Sequence, residues 1–353
     1  MLRFERAPAQ LWQRALVPVL AILVTFLVGS FVILFAGANP LAVFHAVLLE
    51  PLTSRTDRLE VLVQATPLLL TGVAVAVAFL SGYYNIGAEG QLYAGALAAA
   101  FVGPRLGSVP APLALLLMVL SGFAAGALWA LVPALLKVRL KVDEVVTTLL
   151  LNSVMLFLVS ALLNGPWRDP ASGWPRSPSL AAPALFPEIV PRSRVHLGLG
   201  LALLAVALLG WVLHRTRFGL ELRAVGLGPE AARFSGVRVA RVVLICALVS
   251  GGVAGLAGVG EVAGIHGYLI AELSPGYGYT GIIVATFGGL TAPGILLGGL
   301  FLALIDTGIL SASRSLGVPV YLGDILQATL LLSTLSLLLL NRYRIRFSRR
   351  ALG

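Results

Sequence analysis

Ten runs of apolar residues divide the chain, and none of them contains a lysine or an arginine. They cover residues 15–37, 61–82, 86–103, 112–136, 145–163, 198–214, 243–264, 280–291, 294–311 and 323–340. Within each run the apolar positions are continuous and do not alternate, so helices are predicted and a β-barrel is excluded. About 20 apolar residues are enough to cross a bilayer as a helix. The runs at 280–291 and 294–311 are the ambiguous ones: they form a hairpin that crosses twice, or they re-enter without crossing. Irregular backbone at that depth survives only inside protein or beside a cavity. The expectation is an all-α polytopic membrane protein of about ten transmembrane helices, with residues 1–353 forming a single transmembrane domain.

Composition sharpens this picture. Of the 353 residues, 58% are apolar and only 11% are charged, against about 25% charged in an ordinary soluble domain. Mean hydropathy is +0.96. The net charge of +10 would suggest nucleic acid for a soluble protein, but the cytoplasmic bias of basic residues in membrane proteins accounts for it better. If the N-terminus is inside, seventeen of the 25 basic residues fall in cytoplasmic segments and eight in outer ones. That distribution predicts both termini in the cytoplasm and an even number of spans. The cytoplasmic segments are then 1–14, 137–144, 215–242 and 341–353. The longest outer segment, 164–197, carries seven prolines and reads as an irregular loop. The single cysteine, Cys246, lies inside a span, which leaves no disulfide framework. The first run is long enough to span and lacks a clean small-x-small site, so no cleavable signal is expected.

A repeat is visible. Gly82-Tyr83-Tyr84-Asn85-Ile86-Gly87 follows the second run and Gly276-Tyr277-Gly278-Tyr279-Thr280-Gly281 follows the seventh. Each is a G-Y-x-x-x-G element at the same place in a five-span unit. Five is odd, so the second half would sit upside down, as in transporters built from two inverted halves.

Polar groups inside spans are costly and need a reason. The string 82–91, GYYNIGAEGQ, packs Asn85, Glu89 and Gln91 among glycines, with Tyr83 and Tyr84 alongside. It reads either as a polar patch on a solute path or as a capped helix start tied to its neighbours. Glu261 and Asp306 are further acids at membrane depth, candidates for the same path. The pairs Gly251/Gly255 and Gly260/Gly264 point to close helix packing, and Asn152 to interhelical hydrogen bonds.

The basic segment 215–242 reads as short amphipathic helices. Pro229 starts one, with Glu230 favourable in its first turn, and Gly226 and Gly236 bracket it. Such a helix, presenting Leu222 or Phe234 within a charged rim, fits a groove on another protein or lies on anionic headgroups. No glycine-rich loop precedes either lysine, no H-E-x-x-H or G-x-S-x-G is present, and four scattered histidines make no metal site. No catalytic residue, metal or cofactor is expected.

Six strings follow one another in order: GYYNIGAEGQLYAGA, VDEVVTTLLLN, GPWRDP, GLELRAVGLGPEAARFSG, VSGGVAGLAGVGEV and GYGYTGIIVATFGG. Together they resemble the permease subunits of bacterial ABC importers for nucleosides, within the superfamily that also serves ribose-type sugars and branched-chain amino acids. The resemblance covers about residues 40–340. It implies a ten-span permease of two inverted five-helix halves in the cytoplasmic membrane, paired with a second homologous permease. It also implies a cytoplasmic ATPase subunit with two nucleotide-binding domains, which holds the ATP and magnesium. An extracytoplasmic lipoprotein or periplasmic receptor would deliver solute. On that analogy Gly219, Glu221, Arg223, Gly226, Pro229, Glu230, Arg233 and Gly236 belong to the loop that couples to the ATPase. The 82–91 string, with Tyr83, Tyr84, Asn85, Glu89 and Gln91, would lie near the path.

Other readings are import of a simple sugar such as ribose, or a lone ion- or proton-coupled carrier using Glu89, Glu261 and Asp306. A scaffold that transports nothing would leave those acids unexplained. Nucleic acid is not expected as a partner.

Overall fold

The computed structural model describes residues 2–6 and 11–347, with side chains described for 16–339. Each of the ten apolar runs contains a helix. In chain order the elements are β1 (Leu2–Arg6), α1 (Leu11–Phe35), α2 (Pro40–Leu48), α3 (Glu50–Thr53), α4 (Arg55–Leu80), α5 (Ala88–Val102), α6 (Ala111–Leu140) and α7 (Glu144–Asn164). There follow α8 (Leu197–Arg215), α9 (Arg217–Leu227), α10 (Pro229–Phe234), α11 (Val239–Gly260), α12 (Tyr277–Phe287), α13 (Ala292–Leu316), α14 (Leu322–Arg342) and β2 (Tyr343–Phe347). Among the described residues, eight helices are long and apolar enough to cross a membrane. The chain is an all-α polytopic membrane protein apart from the small ribbon of β1 and β2.

Two compact units form, residues 1–51 with 308–353, and residues 52–307. In the first, α1 packs against α14, Phe26 meets Phe44 with ring centroids 4.8 Å apart, and Ser311 donates to Glu50 at 3.1 Å. β1 and β2 pair antiparallel, Leu2 opposite Phe347.

The second unit is organised around α4 and α11. α4 is apolar on every face and 89% of its spanning window is buried, whereas α7 is only 22% buried. An all-round apolar helix belongs inside a bundle; α6, α7 and α8, with their exposed leucines, face outward. Ser54 fixes the start of α4 by accepting from Asp57 N at 3.0 Å. The helix therefore begins well before the apolar run, because Arg55, Asp57, Arg58 and Glu60 extend it beyond the hydrophobic stretch.

α11 touches α5 and α6 through backbone. A Cβ on Gly95 would lie 2.1 Å from the Gly255 carbonyl oxygen, and one on Gly126 would lie 2.2 Å from that of Gly251. The pair Gly251/Gly255 is thus a helix-packing stripe. Gly264 serves differently: it lies in a π-helical turn, Glu261–His266, that continues α11 and packs on the His196 ring.

α5 and α12 are the short helices. At about 1.5 Å rise per residue neither reaches across a hydrocarbon core of about 30 Å. Gly87 is the N-cap of α5 and Gly276 that of α12. Counting from those caps, Glu89 and Gly278 are equivalent residues, and they lie against each other. The flanks mirror this: α5 packs on α11 at Leu92 and Gly258, and α12 packs on α4 at Gly281 and Thr71. The two G-Y-x-x-x-G strings differ locally. The first precedes its helix, while the second supplies the cap and first turn of its own.

Candidate functional site

Between α4 and α5 the chain runs without helix through residues 82–87, and side chains replace the missing backbone bonds. Gly82 turns it with φ +75°. Asn85 donates to Gln91 Oε1 and to Ser250 Oγ, both at 2.9 Å, and its Oδ1 accepts from Gly87 N at 2.9 Å and from Gln91 Nε2 at 3.1 Å. Asn152 of α7 accepts from Gly90 N and donates to Ile86 O, each at 2.9 Å, and reaches the Tyr279 hydroxyl at 3.1 Å. Thr148 accepts from Ile86 N at 3.1 Å. A non-helical stretch at membrane depth persists when its polar groups are met in this way. Asn85 and Gln91 are fully buried and spent on each other; Tyr83 is buried; Tyr84 is exposed, its ring edge-on to Phe79.

Sequence reasoning missed the clamp on this turn. Glu144, buried at the start of α7, is ion-paired with Lys137 and accepts from Tyr84 N at 3.5 Å. The pair forms because Lys141 adopts a left-handed conformation, φ 56°, that folds α7 back on the end of α6. Nothing in the spacing of residues 137 and 144 announces that turn.

Glu89 points the other way, to α12. Its Oε2 accepts from Gly278 N at 2.6 Å, and Ser274 lies beside the same carboxylate. Ser274 Oγ also accepts from Gly276 N at 3.1 Å and Tyr277 N at 2.9 Å, capping α12. The Tyr93 hydroxyl accepts from Ser274 N at 3.1 Å and donates to Ala271 O at 3.0 Å.

Of the acids singled out from the sequence, Glu89 and Glu261 are buried. Tyr277, in the first turn of α12, presents its hydroxyl to α4. That hydroxyl donates to Gln64 Oε1 at 2.8 Å. Glu60 is ion-paired with Arg194 at 2.5 Å. Tyr277 stood in the second G-Y-x-x-x-G string, whereas Glu60, Gln64 and Arg194 carried no motif, and only the fold brings them together. Among the described residues no group of histidine, cysteine or carboxylate side chains is arranged to hold a metal ion.

The basic segment forms α9 and α10. Thr216 caps α9 through Gly219 N at 3.0 Å, and Pro229 opens α10. Gly219, Leu222, Val225 and Ala232 face inward. Leu222, expected on the outside, is 1% exposed, because its three-residue spacing from Gly219 and Val225 puts it on the inner stripe. Leu220, Leu227 and Phe234 are the outward apolar residues, the last two 91% and 92% exposed. Glu221, Arg223, Glu230, Arg233 and Gly236 are exposed around them, and Arg223 Nε donates to Gly219 O at 3.2 Å. Gly226 meets the end of α4: a Cβ there would lie 2.1 Å from the Leu80 carbonyl oxygen.

Eight helices long and apolar enough to cross a membrane call for comparison with known membrane proteins. Residues 58–335 match the family described as branched-chain amino acid transport system / permease component. The chain belongs to that permease family. A glucose ABC transporter permease protein of Haloferax volcanii is 38% identical, covering 94% of this chain and 90% of its own. A guanosine ABC transporter permease protein of Bacillus subtilis is 34% identical, covering 94% of each chain. A nucleoside ABC transporter permease protein of Lactococcus lactis is 28% identical, covering 90% of each. No solved structure matches the chain. The permease is a transport subunit and not an enzyme; ATP hydrolysis belongs to a separate subunit.

Proposed function

We propose that this permease forms part of the membrane path of an ATP-driven nucleoside importer and carries the motion of the ATPase to that path. The observation that carries the reading is the contact of Gly226 with Leu80, one turn of chain before the 82–91 string. α9 and α10 present an exposed apolar and charged face, and their inner side abuts the backbone that leads to Glu89. A force applied to the face is delivered to the junction of α5 and α12. Coupling requires that the contact differ between two states of the partner.

The partners of this reading are an ATPase subunit with two nucleotide-binding domains, a second homologous permease and an extracytoplasmic receptor. Both termini are cytoplasmic. The basic-residue count supports this, and the pairing of β1 with β2 supports an even number of crossings. The guanosine and nucleoside relatives favour nucleosides; the glucose relative favours a sugar as the second reading. Uptake of labelled guanosine and uridine by cells expressing the complete transporter is the test. Saturable uptake blocked by unlabelled nucleosides, and not by glucose or ribose, is expected. Uptake of glucose untouched by nucleosides would establish the sugar reading. Loss of uptake on collapsing the proton gradient with ATP maintained would establish an ion-coupled carrier instead.

A further inference from the structure

Residues 169–180 are laid along residues 267–272 as a second, ordered layer. Ser177 N donates to Leu269 O at 2.9 Å, Leu269 N donates to Ser177 Oγ at 2.9 Å, and Leu180 N donates to Gly267 O at 2.8 Å. The turn at the tip is held by one buried carboxylate. Asp169 Oδ2 accepts from the Ser172 hydroxyl at 2.5 Å and from Arg176 Nε and Nη2 at 3.0 Å, while Oδ1 accepts from Ala171 N at 3.1 Å. Arg176 in turn lies over the Tyr268 ring, 4.5 Å from its centroid.

This scaffold holds up an indole that packs on little else: Trp174 is 70% exposed. Trp174, Arg176, Tyr268 and Glu272 surround an open cavity of about 630 Å³. Its floor is Ala271, whose carbonyl accepts from Tyr93. From there the Tyr93 hydroxyl bonds to Ser274 N, and Ser274 lies beside Glu89 at the junction of α5 and α12.

We propose that this cavity is an entry subsite for a nucleoside, distinct from the polar junction beneath it. The planar base stacks on the Trp174 indole, and the Glu272 carboxylate accepts from the ribose hydroxyls. Asp169, Arg176 and Tyr268 hold the turn that places Trp174 beside the cavity, and a backbone position fixed before binding lowers the cost of binding. A flat face suits a base of either class, since stacking tolerates any base. The proposal rests on the nucleoside reading above.

The test is equilibrium binding of labelled guanosine to the purified complete transporter without its receptor, alongside uptake by cells. Wild type binds guanosine saturably; Trp174→Ala weakens binding by about tenfold, within the range of base stacking on an aromatic ring, and Trp174→Phe restores it. Equal binding by wild type and Trp174→Ala, or no binding by a transporter that imports guanosine in cells, would overturn the subsite and leave the nucleoside reading intact. No nucleoside uptake in cells would overturn both. Binding that Trp174→Phe fails to rescue, with receptor docking also lost, would make Trp174 a receptor contact and overturn the subsite.

Discussion

Gly278 donates its backbone N–H to the Glu89 carboxylate at 2.6 Å, so an acid at the start of one short helix is tied to the first turn of the other. A hydrogen bond to a charged group contributes about 1.5–3 kcal/mol, roughly twice a neutral one. Glu89→Gln keeps the shape and weakens the tie, and uptake is expected to fall while the complex still assembles. Glu89→Ala leaves Gly278 N–H without an acceptor, and thermal stability in detergent should drop by an amount matching about 1–3 kcal/mol. Full uptake by Glu89→Gln would remove the carboxylate from the path.

Gly226 tests the linkage. A methyl group there meets the Leu80 carbonyl oxygen, which is backbone and cannot rotate away. Overpacking of this kind costs about 1–3 kcal/mol. Gly226→Ala is expected to lower uptake more than ATP hydrolysis, measured together on reconstituted transporter. Unchanged uptake per ATP would place the linkage elsewhere.

Leu227 and Phe234 point into solvent, so replacing both by serine should leave the melting temperature within about 0.5 kcal/mol of wild type. Co-purification of the ATPase subunit should be lost. Retention of the ATPase by the double variant would count against α9 and α10 as its seat.

Lys137 and Glu144 form a pair in which the acid is buried and the lysine is 40% exposed. Lys137→Met strands a buried carboxylate and should destabilise more than Lys137→Met combined with Glu144→Gln, since removing one partner is worse than removing both. Thermal melts of the two single variants and the double variant give the coupling.

Asp169 makes a prediction in pH. Hydrogen bonds from Ser172 and Ala171, then Arg176, hold its carboxyl down to about 2, against an ordinary value near 3.9. A depressed folded value means that its contribution is fully present above about pH 4 and is lost as pH falls toward 2. Proteolysis of the 169–176 turn should accelerate across that window in wild type. Asp169→Asn should be cleaved rapidly at every pH.

Much of this architecture was legible because bilayer length and apolar continuity act on every span alike. Each of the ten runs contains a helix, and the stripe Gly251/Gly255 marks a true close approach. Asn152 makes the interhelical bonds expected of it. Ends were less legible. α4 starts at Arg55 on a serine cap that outweighs local polarity, and α5 is shorter than its apolar run because residues 86–87 are drawn into the Asn85 and Thr148 bonds. The site was half legible. Glu89, Glu261 and Asp306 stood out by being charged at depth, and the structure ties the first of them to α12 through Gly278. Glu60, Gln64 and Arg194 could not stand out, since polar residues at the end of a span look like ordinary loop. Leu222 lies inward and Leu220 outward because the inner stripe is set by Gly219, whose close approach to Val212 fixes the rotation of α9.

Where Gly95, Gly126, Gly251 and Gly255 bring α5, α6 and α11 together, main chain rests on main chain. Such a joint has no compressible side-chain cushion. The three helices are expected to behave as one lever arm, with bending confined to the glycine-rich strings beyond its ends. Drift in solute preference over evolution would then accumulate at those strings and at the cavity mouth, while the lever itself stays monotonous in small residues.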